Sequence, residues 1–147
     1  MTRIFKNVHR QSVSPTHPSA WGARCSICPL NGQEPVWGDG PKDPIMAFVG
    51  ESPGHDEVAL GIPFVGVSGA IFVSWLEELN LSRQEVWTDN AVMCMPEGGD
   101  LHAYLQRKRK ELAKLFNDPV ACCRPRLMRA LKVPFCKVCA KFMRGPN

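Results

Sequence analysis

The sequence lacks any long apolar run. No apolar segment approaches the roughly 18 residues of a membrane-spanning helix. The basic N-terminal stretch MTRIFKNVHRQ has no apolar core of the kind that a secretory signal needs, and neither an internal repeat nor a low-complexity tract is present. These absences predict a cytoplasmic globular protein without a membrane partner, and 147 residues suffice for one domain.

A phosphate-binding loop is missing as well. The stretch AFVGESPGHDE ends an apolar run at a glycine, but it has neither the spaced glycines nor the lysine of a P-loop. Instead it crowds Glu51, Asp56 and Glu57 around a rigid Ser-Pro-Gly turn. The pattern therefore favours carboxylates held against a ligand at the end of a strand.

Cysteine is abundant, and its number is odd. Seven cysteines in a chain without an export signal favour metal binding over a disulfide framework. Two of the groups have CxxC spacing and three cysteines are single: Cys25 with Cys28, Cys136 with Cys139, and Cys94, Cys122 and Cys123. This spacing favours an iron-sulfur cluster. A zinc site built on the two CxxC pairs is the alternative.

The pattern of apolar residues predicts a βαβ unit. Residues 44–50 and 86–95 read as strands, and the segment between them contains a helix whose stripe Ile71, Trp75, Leu76 and Leu79 is expected to face the core. Residues 1–24 are expected to form an extended arm, residues 25–131 the domain, and residues 132–147 a basic, cysteine-containing tail.

A second helix is predicted from Asp100, its N-cap, to about residue 116. Its centre carries Arg107 to Lys110, four consecutive cations, and the net charge of the chain is +4. Because four consecutive positions point in all directions around a helix, some of these cations must be exposed. They are expected to be either a solvated face or a contact for the DNA backbone.

Five short motifs, taken in order, resemble the iron-sulfur, family-four uracil-DNA glycosylases. They are CSICPL, FVGESPGHDE, GIPFVGVSG, TDNAVMCMP and ACCRPRL, between Arg24 and Leu131. The resemblance implies an α/β, three-layer αβα fold with a parallel sheet, reduced here to its N-terminal strands. It also implies hydrolysis of the N-glycosidic bond of uracil in single- or double-stranded DNA.

The resemblance assigns roles residue by residue. It implies a structural [4Fe-4S] cluster on Cys25, Cys28, Cys94 and Cys123, with Cys122 as a spare thiol. Phe64 corresponds to the aromatic residue that stacks on the flipped base, and Asn90 to the amide that reads the edge of the base. The candidate catalytic carboxylates are Glu51 and Glu57, and the further substrate-binding positions are Gly50, Pro53 and Gly54.

The chain also departs from this family. The family continues past the last cluster cysteine with further strands and a His-Pro-Ser loop, so about the C-terminal third is expected to be absent. His17 to Ala20 reads His-Pro-Ser-Ala, which leaves open a relocated loop or a coincidence. The alternatives are therefore a nucleic-acid-binding or partner-binding remnant without catalysis, a zinc-binding module, or a sheet completed by a partner or second chain.

Overall fold

A computed structural model describes residues 17–115 and 117–132 of the chain. Its centre is a parallel pair of strands, β1 (Met46–Gly50) and β2 (Val86–Asn90). The strands pair in register from Met46 opposite Val86 to Gly50 opposite Asn90. The two carboxyl ends therefore finish side by side, which is where ligands bind in open α/β sheets.

In the described part of the chain four α-helices accompany these strands, and they confirm the predicted α/β class. Helices α1 (His55–Leu60) and α2 (Val67–Glu78) lie in the connection between β1 and β2. Helices α3 (Leu101–Leu115) and α4 (Pro119–Lys132) follow β2. No helix in the described part of the chain has the length and apolar character that crossing a bilayer requires.

The predicted N-terminus of α3 is confirmed by its cap. Asp100 Oδ1 accepts a hydrogen bond of 2.8 Å from the backbone N–H of Ala103, which satisfies one free donor of the first turn. Of the four basic residues, Arg109 and Lys110 are exposed, and Lys108 forms an exposed ion pair of 3.2 Å with Glu111. A solvated face accounts for these positions without a ligand.

The predicted core face of α2 is wrong for three of its four residues. Ile71, Trp75 and Leu79 are all at least half exposed, and only Leu76 of the expected stripe is buried. The helix instead turns Phe72 and Leu76 inward against Val86 at the start of β2. Because apolar side chains occupy two neighbouring stripes of α2, one with Ile71 and Trp75 and one with Phe72 and Leu76, periodicity alone did not distinguish them.

The predicted N-terminal arm is only partly described, and its described end is not extended. Pro18–Trp21 forms a 3-10 turn that packs near α4, with Pro18 buried. The backbone N–H of Arg24 donates to the carbonyl of Cys122 in α4 at 2.9 Å. These contacts hold residues 17–24 against the domain. Residues 133–147, with Cys136 and Cys139, lie outside the described residues.

The two edges of the sheet differ. Beside β2, Asp39 forms an antiparallel bridge to Thr88, with backbone N–H···O distances of 2.8 and 2.7 Å. A second bridge joins Pro35 to Cys94. Within the ranges that the structure describes, β1 has β2 as its single strand neighbour. One edge is therefore covered and the other is open.

Candidate functional site

We call the region where the two strands end the cleft, and three predicted residues meet there. Gly50 is paired with Asn90, and a Cβ atom at position 50 would collide with Asn90 Oδ1 and lie 3.0 Å from Phe64 Cζ. Only a residue without a side chain leaves room between this ring and this amide. The structure thus brings together the predicted aromatic face and the predicted base-reading amide.

The side-chain amide of Asn90 is buried, and part of its hydrogen-bonding capacity is unused. Its side chain is 4% exposed, and its Nδ2 atom has no hydrogen-bond partner among the described residues. A buried donor without a partner costs about 1–3 kcal/mol. A ligand carbonyl placed in this cleft would recover that free energy, so Asn90 is suited to recognising a hydrogen-bond acceptor.

A buried ion pair supports the end of β2 beneath this amide. Arg126 Nη1 lies 2.5 Å from Asp89 Oδ2, and both side chains are about 2% exposed or less. Arg126 Nη2 also donates to the carbonyl of Asn90 at 2.8 Å. Burial raises the pKa of the Asp89 carboxyl, and the nearby Arg126 guanidinium opposes that rise. The pair fixes the backbone that carries Asn90.

The two candidate catalytic carboxylates occupy different environments. Glu51 is exposed at the end of β1, and its backbone carbonyl accepts a hydrogen bond of 3.0 Å from Val92. Its carboxylate has no hydrogen-bond partner within residues 17–115 and 117–132. Glu57 is 7% exposed and accepts hydrogen bonds from three backbone N–H groups. Glu51 is thus the carboxylate that is free to act on a ligand.

The Ser-Pro-Gly turn supplies rigid support for α1. Pro53 is almost fully buried, and the Gly54 N–H donates to Glu57 Oε2 at 3.0 Å. A Cβ atom at position 54 would lie 2.9 Å from that oxygen. Both residues therefore shape the turn after Glu51. Their predicted role as substrate-binding positions stays a prediction.

A second site is a cavity of about 330 Å³ lined by five cysteines. Cys25 and Cys28 come from a 3-10 turn (Cys25–Ile27) and the residue after it. Cys94 comes from the loop after β2, and both Cys122 and Cys123 come from the first turns of α4. The four predicted ligands therefore line one cavity. Cys122 and Cys123 both lie within α4.

The thiols around this cavity resist ionisation. Burial raises the pKa of Cys28 to about 12 and the pKa of Cys94 to about 11. Burial also raises the pKa of Cys25 and Cys122. Because thiolates are the metal-binding form, a bound cation must supply the stabilisation that the protein environment does not.

The cysteine cavity differs from a tight single-ion site within the described residues. No three His, Cys, Asp or Glu side chains in the described residues converge closely enough to hold one metal ion. Zinc needs its sulfur ligands about 2.3 Å from one centre, whereas a four-iron cluster separates its cysteine ligands by its own width. The electrostatic interactions are divided between the two candidates: Cys123 interacts with Cys25 and Cys94, whereas Cys28 interacts more strongly with Cys122 than with Cys123. The choice of Cys123 as the fourth ligand stays a prediction.

The predicted alternative for the His-Pro-Ser-Ala stretch gains no support from its position. His17 lines the cysteine cavity, and its Nδ1 atom lies 2.8 Å from Ser19 Oγ. The cleft residues Phe64 and Asn90 contact neither of them. This placement favours coincidence over a relocated active-site loop.

Three charged residues important to the cleft were missed by the sequence analysis. Asp89 and Arg126 form the pair beneath Asn90, and Arg83 contacts the loop that carries Phe64. Arg126 lies 37 residues from Asp89 in the sequence, and Arg83 lies 19 residues from Phe64. Because these separations are long, no local spacing predicts either contact. The one signal was the position of Asp89 inside an apolar strand, where a charge needs a buried partner.

The fold and these two sites define a family, and comparison with known proteins identifies it. The Uracil DNA glycosylase superfamily matches residues 37–140, which is more than half of the chain. The chain belongs to this superfamily, as predicted.

Within the superfamily, the chain is similar to type-4 uracil-DNA glycosylases. It is 40% identical to that of Thermotoga maritima over 75 residues, covering 50% of this chain and 39% of the relative. It is 35% identical to that of Sulfurisphaera tokodaii over 135 residues, covering 91% of this chain and 52% of the relative. The chain thus spans about half the length of these relatives, or less.

Proposed function

We propose that the chain is a uracil-DNA glycosylase that hydrolyses the N-glycosidic bond of uracil in DNA, in base excision repair. One observation carries this proposal: the Asn90 amide lies beside the ring of Phe64, across the gap left by Gly50, and its buried Nδ2 atom has no partner among the described residues. A flat base with a carbonyl on its edge has the chemistry to fill this cleft. The names of the type-4 relatives support uracil as that base.

In this proposal the flipped uracil stacks on Phe64, and its carbonyl accepts a hydrogen bond from Asn90 Nδ2. As the bond from the sugar to the base breaks, negative charge moves onto the base and positive charge develops on the sugar. The donor of Asn90 stabilises the charge on the base. Glu51 accepts a proton from the water that forms the new bond to the sugar, and its charge stabilises the sugar cation.

We further propose that Cys25, Cys28, Cys94 and Cys123 hold a [4Fe-4S] cluster. The cavity of about 330 Å³, which all four of these cysteines line, supports this proposal. The cluster would join the N-terminal turn, the loop after β2 and α4, and take no part in bond cleavage. The zinc alternative uses Cys136 and Cys139, outside the described residues.

The enzymatic proposal is tested with protein loaded with iron and sulfide under exclusion of air. This protein is incubated with single- and double-stranded DNA that contains one uracil, and abasic sites are measured after alkaline cleavage. Glu51→Gln should lower the rate about 100-fold or more, because a positioned base contributes roughly 10²–10⁴-fold. Asn90→Ala should lower it roughly 100-fold, since one transition-state donor is lost.

Glu78→Gln is the matched control, because Glu78 is an exposed carboxylate on α2, outside the cleft. It should retain the full rate. Product no greater than that of a heat-inactivated sample would overturn the enzymatic proposal. Equal rates in Glu51→Gln and Glu78→Gln would remove Glu51 from its role.

The open edge of β1 favours a second proposal about partners. Met46 and Val49 on this strand and Ile71 and Trp75 on α2 are each at least 42% exposed. Unpaired strand edges and exposed apolar side chains favour association. A partner or second chain that adds a strand beside β1 would cover these side chains. Slower hydrogen exchange of the β1 amides at high protein concentration would support this proposal.

The proposed place of action is the cytoplasm.

A further inference from the structure

Two side chains of opposite charge, Glu57 and Arg83, form hydrogen bonds with the backbone of the same short loop, Pro63 to Gly66. On one side Glu57 Oε1 accepts hydrogen bonds from the N–H groups of Val65 at 3.0 Å and Gly66 at 2.8 Å. On the other side the Arg83 guanidinium donates to the carbonyl of Pro63, and to the carbonyl of Phe64 at 3.3 Å. One residue thus holds the donors of the loop and the other holds its acceptors.

These hydrogen bonds stabilise a loop in which the backbone of Phe64 is strained. Its φ is +56°, in the left-handed region that side chains other than glycine rarely adopt. Such a conformation is strained and persists only where the surroundings enforce it. Gly69 adds to the constraint, because a Cβ atom there would collide with the carbonyl of Phe64.

Arg83 also ties the loop to the strand that carries the base-reading amide. Its Nη2 atom lies 3.3 Å from Thr88 Oγ1, two residues before Asn90 on β2. Its Cζ atom lies 5.6 Å from the centre of the Phe72 ring, and the Phe64 ring packs on Phe72 at 5.0 Å. The guanidinium therefore contacts both walls that support the cleft.

We propose that Arg83 and Glu57 are positioning residues that hold Phe64 in its left-handed conformation, so that its ring stands opposite Asn90. Neither residue needs to touch the substrate. Glu57, predicted as a catalytic carboxylate, takes this role because its oxygens already bind three backbone N–H groups. The inference rests on the proposed function for its consequence in binding, but the grip on the loop is independent of catalysis.

The first arm of the test measures the loop itself. In Arg83→Lys a single ammonium cannot reproduce the two-pronged contact of a guanidinium. The amides of Val65 and Gly66 should then exchange hydrogen at least tenfold faster than in the unaltered protein. Arg107→Lys is the control, because Arg107 makes one exposed contact, to the Glu97 carbonyl at 3.0 Å. Unchanged exchange of the two amides in Arg83→Lys would overturn the proposal.

The second arm measures uracil release from DNA. Arg83→Lys should raise KM about tenfold and change kcat by less than threefold, whereas partial unfolding would lower kcat and leave KM unchanged. In a Phe64→Ala background, Arg83→Lys should add no further effect, because the ring that it positions is gone. Fully additive effects would overturn the proposal. If the unaltered protein releases no uracil, the proposed function fails and the exchange arm alone decides.

Discussion

The cleft at the strand ends and the cysteine cavity are built in opposite ways. The cleft is held by charged side chains that bind backbone groups, as Glu57 and Arg83 do around Phe64. The cavity is lined by neutral thiols whose burial opposes ionisation, as at Cys28 and Cys94. The comparison indicates that charged side chains organise the cleft through backbone hydrogen bonds, whereas burial in the cavity disfavours the ionised, metal-binding form of its thiols.

One residue joins the two regions. Arg126 lies three positions after Cys123 on α4, and its guanidinium binds Asp89 and the carbonyl of Asn90 on β2. The helix that lines the cysteine cavity therefore also supports the base-reading amide. Changes at this contact should affect both regions, whereas changes elsewhere should affect one.

The largest expected effect comes from breaking that contact. Arg126→Met leaves the carboxylate of Asp89 buried without its partner, and loss of one member of a buried pair costs about 3–5 kcal/mol. The free energy of unfolding of the cluster-loaded protein, measured with urea, should fall by this amount. Arg124→Met is the control, since Arg124 is exposed on the same helix and should change stability by about 0.5 kcal/mol or less. Equal losses in the two variants would contradict the link.

The next effect separates the two regions. Cys123→Ser should lose most of its iron and its brown colour, whereas Cys122→Ser should retain both, because Cys123 is the proposed fourth ligand and interacts electrostatically with Cys25 and Cys94. After cluster loss the amides of Val65 and Gly66 should remain slow to exchange, since Glu57 still holds them. Full iron retention in Cys123→Ser would contradict the proposed role of Cys123 as a ligand. Rapid exchange of these amides after cluster loss would contradict the independence of the cleft from the cavity.

A smaller effect is expected from filling the cleft. Gly50→Ala places a methyl group against Asn90 Oδ1 and the Phe64 ring, and such overpacking costs about 1–3 kcal/mol. Uracil release should fall about tenfold, while the iron content stays at the level of the unaltered protein. A normal rate would show that the ring and the amide do not enclose the base.

The smallest and most gradual effect concerns pH. In metal-free protein the pKa of Cys28 is raised to about 12 and that of Cys94 to about 11, from an ordinary value of 9.0. At pH above 9 the unfolded chain therefore binds fewer protons than the folded one, so stability should fall as pH rises from about 9 to about 12. The decline in thermal midpoint should be shallower in a Cys28→Ala, Cys94→Ala variant. Parallel curves would contradict the assigned burial.

Local patterns predicted the parts of this fold that depend on neighbouring residues. The apolar runs located β1 and β2, and Asp100 marked the start of α3. Motif resemblance located Phe64 and Asn90, and spacing alone did not. The contacts of Arg83 and Arg126 could not be predicted, because each joins residues that only tertiary packing brings together. The face of α2 was wrong for a related reason, since its burial depends on which strands lie beside it.

The antiparallel bridge between Asp39 and Thr88 has a consequence for growth of the sheet. It occupies both the N–H and the carbonyl of Thr88 on the outer side of β2. Among the described residues β1 has no strand on its other side, whereas the backbone groups of Thr88 are already paired. Extension of the sheet is therefore favoured on the β1 side, and a parallel strand added there would place a further carboxyl end beside the cleft.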